Sequence, residues 1–328
     1  GQGAYWNPVF LVPDGQLTIQ GHCTDLTGDL GVEFIKTRPA EKPFFLMLHQ
    51  KAPHREWSPD ERNKAKFKDA VFPEAETLWD DYATRPAALP ENKQTIARDL
   101  TNRDLKREPP AGIEGNERNQ WLRTKPDSVE VDGKILTGDD LVRWKYQRYM
   151  QDYLACVQGV DDNVGKVLDY LDAAGLADDT IVLYSSDNGW YLGDLGLYDK
   201  RFMYEPGLRV PLIARGPGIK AGTMPDAFVA NIDLAPTFLD LAGIPVPDSM
   251  QGKSLVPLLR GETPAGWRRS VYYRYYHDPG DHNTRAHYGV RTATHKLIHY
   301  WKKDAWELYD LVADPSEQRN LLFDAAAA

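Results

Sequence analysis

The chain has 328 residues, of which 42% are hydrophobic and 27% are charged, and this composition is typical of a globular protein rather than a disordered one. Its 39 Lys and Arg residues against 48 Asp and Glu residues give a formal charge of −9, so we expect no nucleic-acid partner, and an anionic substrate would need a local basic pocket. No apolar run approaches membrane-spanning length, so no membrane span is expected, and Cys23 and Cys156 are too few for a disulfide framework or a cysteine metal site.

The first half of the chain contains one short apolar run, a long irregular region and one long helix. Residues 43–49 (PFFLMLH) are nearly all apolar, which predicts a buried strand of a parallel sheet that leads towards His54. Residues 67–140 are rich in Pro, Asn, Asp, Glu and Arg, which predicts a mostly irregular excursion with short helical pieces. From Asp139 to Gly175 apolar and aromatic residues recur at helical spacing, which predicts one amphipathic helix.

Strands and helices alternate in the middle of the chain. Residues 180–184 (TIVLY) are apolar and β-branched, which predicts a central strand that runs into a polar turn at 185–189. Residues 210–214 predict a further strand, and Asp233 is predicted to be the N-cap of a helix that ends near Leu241. This alternation favours an α/β fold with a mostly parallel sheet between helices.

The pattern changes near the C-terminus to aromatic strands separated by polar turns. These predicted strands cover residues 271–276, 288–292 and 296–301. The change predicts a small antiparallel α+β domain over residues 265–328, which follows a main α/β domain over residues 1–264.

Three polar groups lie next to predicted strands, where ligands bind in open α/β sheets. Asp187 and Asn188 offer a carboxylate beside an amide oxygen, which suits a hard cation such as calcium, although Asp-Asn-Gly is also a common turn sequence. Lys200 is either a surface lysine or an anion contact, and His54 is either an exposed loop residue or a catalytic group. The three signals are stronger together than any one of them alone.

In their order and spacing, these segments resemble the downstream motifs of type I sulfatases, which belong to the alkaline phosphatase-like superfamily. The similar segments cover most of the chain: 44–54, 186–189, 199–211, 231–237, 250–255 and 287–298. The last of these resembles the corresponding segment of glycosaminoglycan-type and N-acetylglucosamine-6-sulfatase-like enzymes. The resemblance implies the alkaline phosphatase-like α/β fold and a sulfuric ester hydrolase that releases inorganic sulfate from a sulfated carbohydrate.

The resemblance also implies roles for five residues. Asp187 and Asn188 match two calcium ligands of the family, so one Ca²⁺ ion is expected as a cofactor of the complete enzyme. Lys200 matches the lysine that contacts the sulfate, and His54 matches the histidine at the sulfate and the leaving-group oxygen. His287, at the head of the HYGVRT segment, is expected to bind substrate. The expected partner is therefore a sulfated sugar.

The nucleophile of the family is a formylglycine made from the Cys of a C-x-P-S-R signature, and neither Cys23 nor Cys156 stands in such a signature. The early pair of aspartates that completes the calcium site of the family is also not found in this sequence. We expect these groups, with the formylglycine modification, in an upstream segment, so that this chain alone does not turn over sulfate esters. Leu195 stands where relatives often carry a histidine, which bears on specificity.

Two other interpretations stay open. The chain could belong to a phosphate or phosphonate ester hydrolase of the same superfamily, because the expected metal site and Lys200 suit both anions. It could also be a non-catalytic carbohydrate-binding relative or an inactive fragment. Because members of the family are usually periplasmic, secreted or lysosomal, the resemblance favours one of these locations. The sequence does not determine the sugar, the sulfate position or the oligomeric state.

Overall fold

The computed structural model describes residues 3–323, which form two compact units. Unit 1 comprises Gly1–Glu74 and Ile96–Ala177, and unit 2 comprises Ala75–Thr95 and Asp178–Ala328, each as far as the described residues extend.

Unit 1 is mainly helical, with two short β-hairpins. Its elements in chain order are β1 (Val9–Val12), β2 (Gly15–Thr18), α1 (Cys23–Thr37), α2 (Glu61–Phe67), α3 (Ile96–Asp99), α4 (Gly115–Arg123), β3 (Val129–Val131), β4 (Lys134–Leu136) and α5 (Gly138–Ala173). The predicted long helix is confirmed as α5, which contacts α1, α2 and α3. It ends where Gly175 adopts a left-handed φ of 66°, as expected for a helix C-terminus. No helix among residues 3–323 has the length and apolarity needed to cross a membrane.

The predicted strand at residues 43–49 is wrong, because no backbone ladder joins this segment to another described residue. One side of the segment packs on α1, where Phe44 lies 6.3 Å from another ring and Leu48 lies against a glycine of the helix. Phe45 and Met47, on the other side, are 60% and 63% exposed. The apolar run predicted burial of both faces, whereas the structure half-buries one face and exposes the other.

Unit 2 contains the remaining strands and three short helices. They are β5 (Val182–Ser185), β6 (Tyr191–Leu192), β7 (Tyr198–Asp199), α6 (Glu205–Leu208), β8 (Leu212–Arg215), α7 (Leu234–Leu241), α8 (Val256–Leu259), β9 (Ser270–Tyr275), β10 (His287–Thr292), β11 (His295–Tyr300) and β12 (Ala305–Asp310). The strands predicted at 180–184 and 210–214 are confirmed as β5 and β8, each starting two residues later. They pair with each other in antiparallel register. All strand pairs in the described part of the chain are antiparallel, so the expected parallel pairing is not observed there.

The C-terminal sheet is a four-stranded antiparallel meander in the order β9-β10-β11-β12. Three of its strands were predicted and are confirmed to within one residue, and β12 was not predicted. Aromatic side chains from its inner face join a core formed with residues 195–204. The predicted boundary near residue 265 stays a prediction, and residues 324–328 of that domain lie outside the described residues.

Asp233 directly precedes α7, but its side chain makes no capping hydrogen bond to that helix. The carboxylate instead accepts hydrogen bonds from the backbone N–H groups of Ala230 and Lys253, both at 2.8 Å, and from Arg268. Asp233 is therefore the N-cap residue of α7 by position, as predicted, but its carboxylate is used by Arg268 and by two backbone N–H groups outside the helix.

Candidate active site

The turn after β5 holds the two predicted metal ligands, Asp187 and Asn188. Asp187 is exposed and Asn188 is half-buried. Asn188 uses its Nδ2 to donate to the carbonyl of Gly189 at 2.8 Å. Neither the Asp187 carboxylate nor Asn188 Oδ1 accepts a hydrogen bond from a residue in the described range. An Asx turn would use one of these oxygens to accept a backbone N–H, so the turn is not closed in that way, and metal binding by Asp187 and Asn188 stays a prediction.

Contacts from two other segments fix the backbone of this turn. Asn231 Nδ2 donates to the carbonyls of Ser186, at 3.0 Å, and Asp187, at 3.1 Å. On the other side, a Cβ atom at Gly189 would lie only 2.2 Å from the carbonyl oxygen of Pro206, so a glycine is required there. The two predicted ligands therefore stand on a turn whose backbone is held from both sides.

Lys200 lies beside the same turn. Its Nζ is 5.1 Å from the ring centroid of Trp190, a cation–π distance, and Trp190 follows Asn188 by two residues. The backbone N–H of Trp190 donates to the carbonyl of Pro206 at 2.8 Å, which fixes the main chain that carries the indole. Lys200 forms no ion pair with any residue in the described range, so its charge remains available to an anion. Lys200 is thus linked to this turn through Trp190, and its joint role with Asp187 and Asn188 stays a prediction.

His54 lies in unit 1, in the loop that follows the apolar segment. Its Nδ1 is 2.8 Å from the carbonyl oxygen of Arg55. A carbonyl only accepts, so Nδ1 carries the proton of that bond, and Nε2 is the nitrogen that can exchange a proton with a ligand. Tyr5 donates to the His54 carbonyl at 2.6 Å and fixes the loop backbone. Because His54 belongs to a different unit from Asp187 and Lys200, its grouping with them stays a prediction.

A hollow of about 330 Å³ opens at His54. Three arginines line it, Arg55, Arg103 and Arg123, together with Glu56 and Asp104. Arg55 forms a two-point ion pair with Asp104 at 2.8 and 2.5 Å. Arg103 likewise pairs with Glu56 at 3.0 Å, so the surroundings of His54 are polar, with two of the three arginine charges already compensated.

His287, predicted to bind substrate, is fully buried in unit 2. Its ring stacks with Phe202 and Tyr275, at centroid distances of 5.6 and 5.7 Å, and lies 5.3 Å from the ring of Tyr300. Its Nδ1 lies 2.8 Å from the Arg285 carbonyl oxygen and donates to it, and burial lowers its pKa to about 4. A neutral, buried ring packs the sheet, and its contact with substrate stays a prediction.

Cys23 and Cys156 are both buried free thiols. Burial raises the pKa of each thiol, which disfavours the nucleophilic thiolate. Both fit the packing role that the sequence indicates.

Among residues 3–323, no group of three or more His, Cys, Asp or Glu side chains could hold a metal ion. Asp187 and Asn188 offer two oxygen ligands, and calcium takes six to eight. The pair therefore fits calcium as part of a larger ligand set.

Comparison with known families decides which enzymes the chain resembles. The model of the sulfatase family matches residues 3–244, and a model described as N-sulphoglucosamine sulphohydrolase, C-terminal, matches residues 193–328. The chain belongs to the sulfatase family. Its alkaline phosphatase-like α/β fold class, with a C-terminal antiparallel sheet, is thereby confirmed. Sulfatases of this family generally use calcium and formylglycine.

Three relatives illustrate the similarity. The chain is 43% identical over 348 residues to N-acetylglucosamine-6-O-sulfatase from Bacteroides thetaiotaomicron, which covers 100% of this chain and 62% of that protein. It is 30% identical over 256 residues to N-acetylglucosamine-6-sulfatase from Homo sapiens, covering 77% of this chain and 39% of the relative. It superposes with a TM-score of 0.90 and 41% identity on BT4656, solved in complex with its substrate D-glucosamine-2-N,6-O-disulfate, over 100% of this chain and 70% of that chain. The chain thus spans less than two thirds of the length of these two curated relatives.

Proposed function

We propose that this chain contributes the sulfate-binding and leaving-group side of a sulfatase that releases inorganic sulfate from a sulfated glucosamine. The observation that carries the proposal is the Lys200 ammonium, which forms no ion pair within residues 3–323 and lies over the ring of Trp190, two residues after Asn188. The glucosamine substrate is inferred from the names of the relatives, which act at the 6-position of that sugar. A periplasmic, secreted or lysosomal location is expected, as for other sulfatases.

Each residue has a distinct part in this proposal. Asp187 and Asn188 hold the calcium ion, which together with formylglycine supplies charge stabilisation and the nucleophile when both are present. Lys200 directs its positive charge at the sulfuryl oxygens, which gain negative charge as the ester bond breaks. His54, whose Nδ1–H donates to the Arg55 carbonyl, acts in its doubly protonated imidazolium form and gives its Nε2 proton to the departing sugar oxygen, which leaves the neutral ring.

The experiment compares two substrates in the active sulfatase that contains this chain. A sugar alkoxide needs a proton to leave, and nitrophenolate hardly needs one. His54→Ala should therefore lower kcat/KM for a 6-sulfated glucosamine about 10² to 10⁴ times more than for nitrophenyl sulfate. Lys200→Ala should lower both values by similar factors, because both substrates share the sulfuryl oxygens.

His49→Ala provides a matched control, because His49 is an exposed histidine of the segment that leads to His54. Equal losses for both substrates in His54→Ala would assign His54 to sulfate binding instead of proton transfer. The same assay with nitrophenyl phosphate distinguishes the two ester classes, and faster turnover of the phosphate would overturn the proposed sulfatase activity.

A further inference from the structure

Lys200 stands between two residues with unusual backbone conformations. Asp199 has a φ of 69° and Arg201 a φ of 105°, both in the region that favours glycine. Such conformations persist in other residues only where the surrounding structure holds them. The backbone on both sides of the Lys200 Cα is therefore set by contacts of its two neighbours.

Those contacts form one connected group of charges. Arg201 Nη1 donates to Asp199 Oδ2 at 2.5 Å, and its Nη2 donates to Asp281 Oδ2 at 3.2 Å. His282 Nε2 lies 3.3 Å from the same Oδ2 of Asp199. We name these four residues, Asp199, Arg201, Asp281 and His282, the clamp.

Burial and charge act in opposite directions on the central carboxylate of the clamp. Asp199 is only 4% exposed, and burial alone would raise its pKa. The hydrogen bond from His282 and the positive charge of Arg201 outweigh burial and hold the pKa of Asp199 below its usual range. The carboxylate is therefore charged and depends on the clamp for its compensation.

The clamp joins the Lys200 segment to the loop between β9 and β10, which lies about eighty residues further along the chain. The backbone N–H of Lys93 donates to the His282 carbonyl at 2.8 Å, which fixes the loop where it meets Asp199. Tyr273 donates to the Arg201 carbonyl at 2.7 Å and fixes the other side of the clamp. Both sides are thus attached to segments that lie far from Lys200 in the chain.

We propose that the clamp positions the Lys200 ammonium for the sulfuryl group, so that Asp281 and His282 control the activity of the site as positioning residues. This inference rests on the proposed role of Lys200. The clamp acts through the backbone at residues 199–201, and Trp190 supports the ammonium itself.

A double-mutant cycle in the active sulfatase tests the proposal. His282→Leu removes the donor to Asp199 and should lower kcat/KM for nitrophenyl sulfate by about 10²-fold, as expected when a charged group is displaced by about 1 Å. The loss should fall mainly on kcat, because Lys200 acts on charge that develops in the transition state. In the Lys200→Ala background the same substitution should cost less than about threefold, because the residue it positions is gone.

Two further variants separate positioning from a general effect on folding. His282→Gln keeps an N–H that can donate to Asp199 and should recover most of the activity. Arg285 lies in the same loop as His282 but outside the clamp. Arg285→Gln removes its 3.0 Å ion pair to Glu91 and should leave kcat/KM unchanged. If His282→Leu does not fold, Asp281→Ala takes its place in the cycle, because the Asp281 side chain is 80% exposed and its loss leaves the interior intact.

The outcomes distinguish this inference from the proposed function. The clamp would be overturned if His282→Leu, or its replacement Asp281→Ala, lowered kcat/KM by the same factor with Lys200 present and in the Lys200→Ala background. The role of Lys200 would then remain in place. Unchanged activity in Lys200→Ala itself would overturn the proposed function. The clamp is supported if the substitution lowers kcat/KM by the expected factor when Lys200 is present and hardly changes it in the Lys200→Ala background.

Discussion

Unit 2 contains two groups of charged side chains with opposite surroundings. At the candidate site, Asp187 is exposed and Lys200 makes no ion pair within residues 3–323. Beneath the C-terminal sheet, Lys296 is fully buried, with its Nζ 2.9 Å from Glu205 Oε1 and 2.7 Å from Glu317 Oε1. The comparison shows that charges satisfied by each other hold the fold, whereas charges that no partner satisfies remain available for a ligand.

The interior of unit 2 also holds a second group of buried polar side chains, around Glu307. The candidate site has no buried group of this kind. Glu307 is fully buried and accepts hydrogen bonds from the Tyr204 hydroxyl at 2.8 and 3.1 Å. Burial raises the pKa of its carboxyl to about 7, although the charge of Arg85 lowers it. The stability of the unit 2 interior therefore depends more on the pairing of its charges and on pH than the stability of the exposed site does.

Breaking the buried ion pairs should have the largest effect on stability. Lys296→Met leaves Glu205 and Glu317 without their shared cation and should lower the free energy of unfolding by about 3–5 kcal/mol. Lys303→Met, which removes an ion pair to Glu91 near the surface, should cost no more than about 1 kcal/mol. Urea denaturation of the two variants measures both values, and similar losses would remove the distinction between the two kinds of ion pair.

Removal of a candidate metal ligand should have the next largest effect, and the effect should fall on binding rather than on stability. Asp187→Ala removes a charged oxygen ligand and should weaken calcium affinity of the active sulfatase by on the order of 10²-fold. The melting temperature without calcium should not change, because no described residue depends on the Asp187 side chain for a hydrogen bond. Asp226→Ala, at another exposed acid of unit 2, is the control, and equal calcium affinity in the two variants would exclude Asp187 from the site.

A smaller effect, confined to a pH window, is expected at Glu307. Its folded pKa of about 7 lies above the ordinary value of 4.5, so the folded state holds a proton that the unfolded state has lost between these pH values. The contribution of Glu307 to stability is therefore present below pH 4.5 and is lost as the pH rises towards 7. Glu307→Gln keeps a neutral side chain, so the stability of the variant relative to the parent should rise across this window. Denaturation curves at several pH values measure the difference, and a constant difference would contradict the shifted pKa.

The same contrast explains what the sequence could predict. Aromatic and apolar residues between polar turns predicted β9, β10 and β11, whereas β12 was missed. Glu307 at an inward position of β12 does not account for the miss by itself, because the equally buried Lys296 stands at an inward position of β11. Residues 43–49 show the opposite error, because an apolar run does not reveal whether one face or both faces will be covered.

At the site, Asp187, Asn188 and Lys200 could be found because each lies near the end of a strand and matches a family motif. Trp190 and Asn231 were not assigned roles in advance. Their contacts join segments that are distant in the chain, such as the bond from Asn231 to the Asp187 carbonyl across 44 positions. Such contacts produce no pattern in the spacing of neighbouring residues, so the sequence does not reveal them. The clamp was missed for the same reason, since two of its members, Asp281 and His282, lie on a loop after β9, about eighty residues from the other two.

The smallest expected effect concerns Asn231, which contacts the turn of Asp187 and Asn188 only through backbone carbonyls. Asn231→Ala removes two neutral hydrogen bonds to Ser186 and Asp187, each of which contributes about 1 kcal/mol. The turn keeps its other anchor, because the backbone N–H of Gly189 still donates at 3.1 Å to the carbonyl of Gly207. Calcium affinity should therefore fall by about tenfold or less, well below the loss in Asp187→Ala, and isothermal titration of both variants gives the ratio. If Asn231→Ala weakens calcium binding as strongly as Asp187→Ala does, the geometry of the turn matters as much as the charge of its ligand, and an exposed site would then depend on its supporting contacts as much as the buried cluster does.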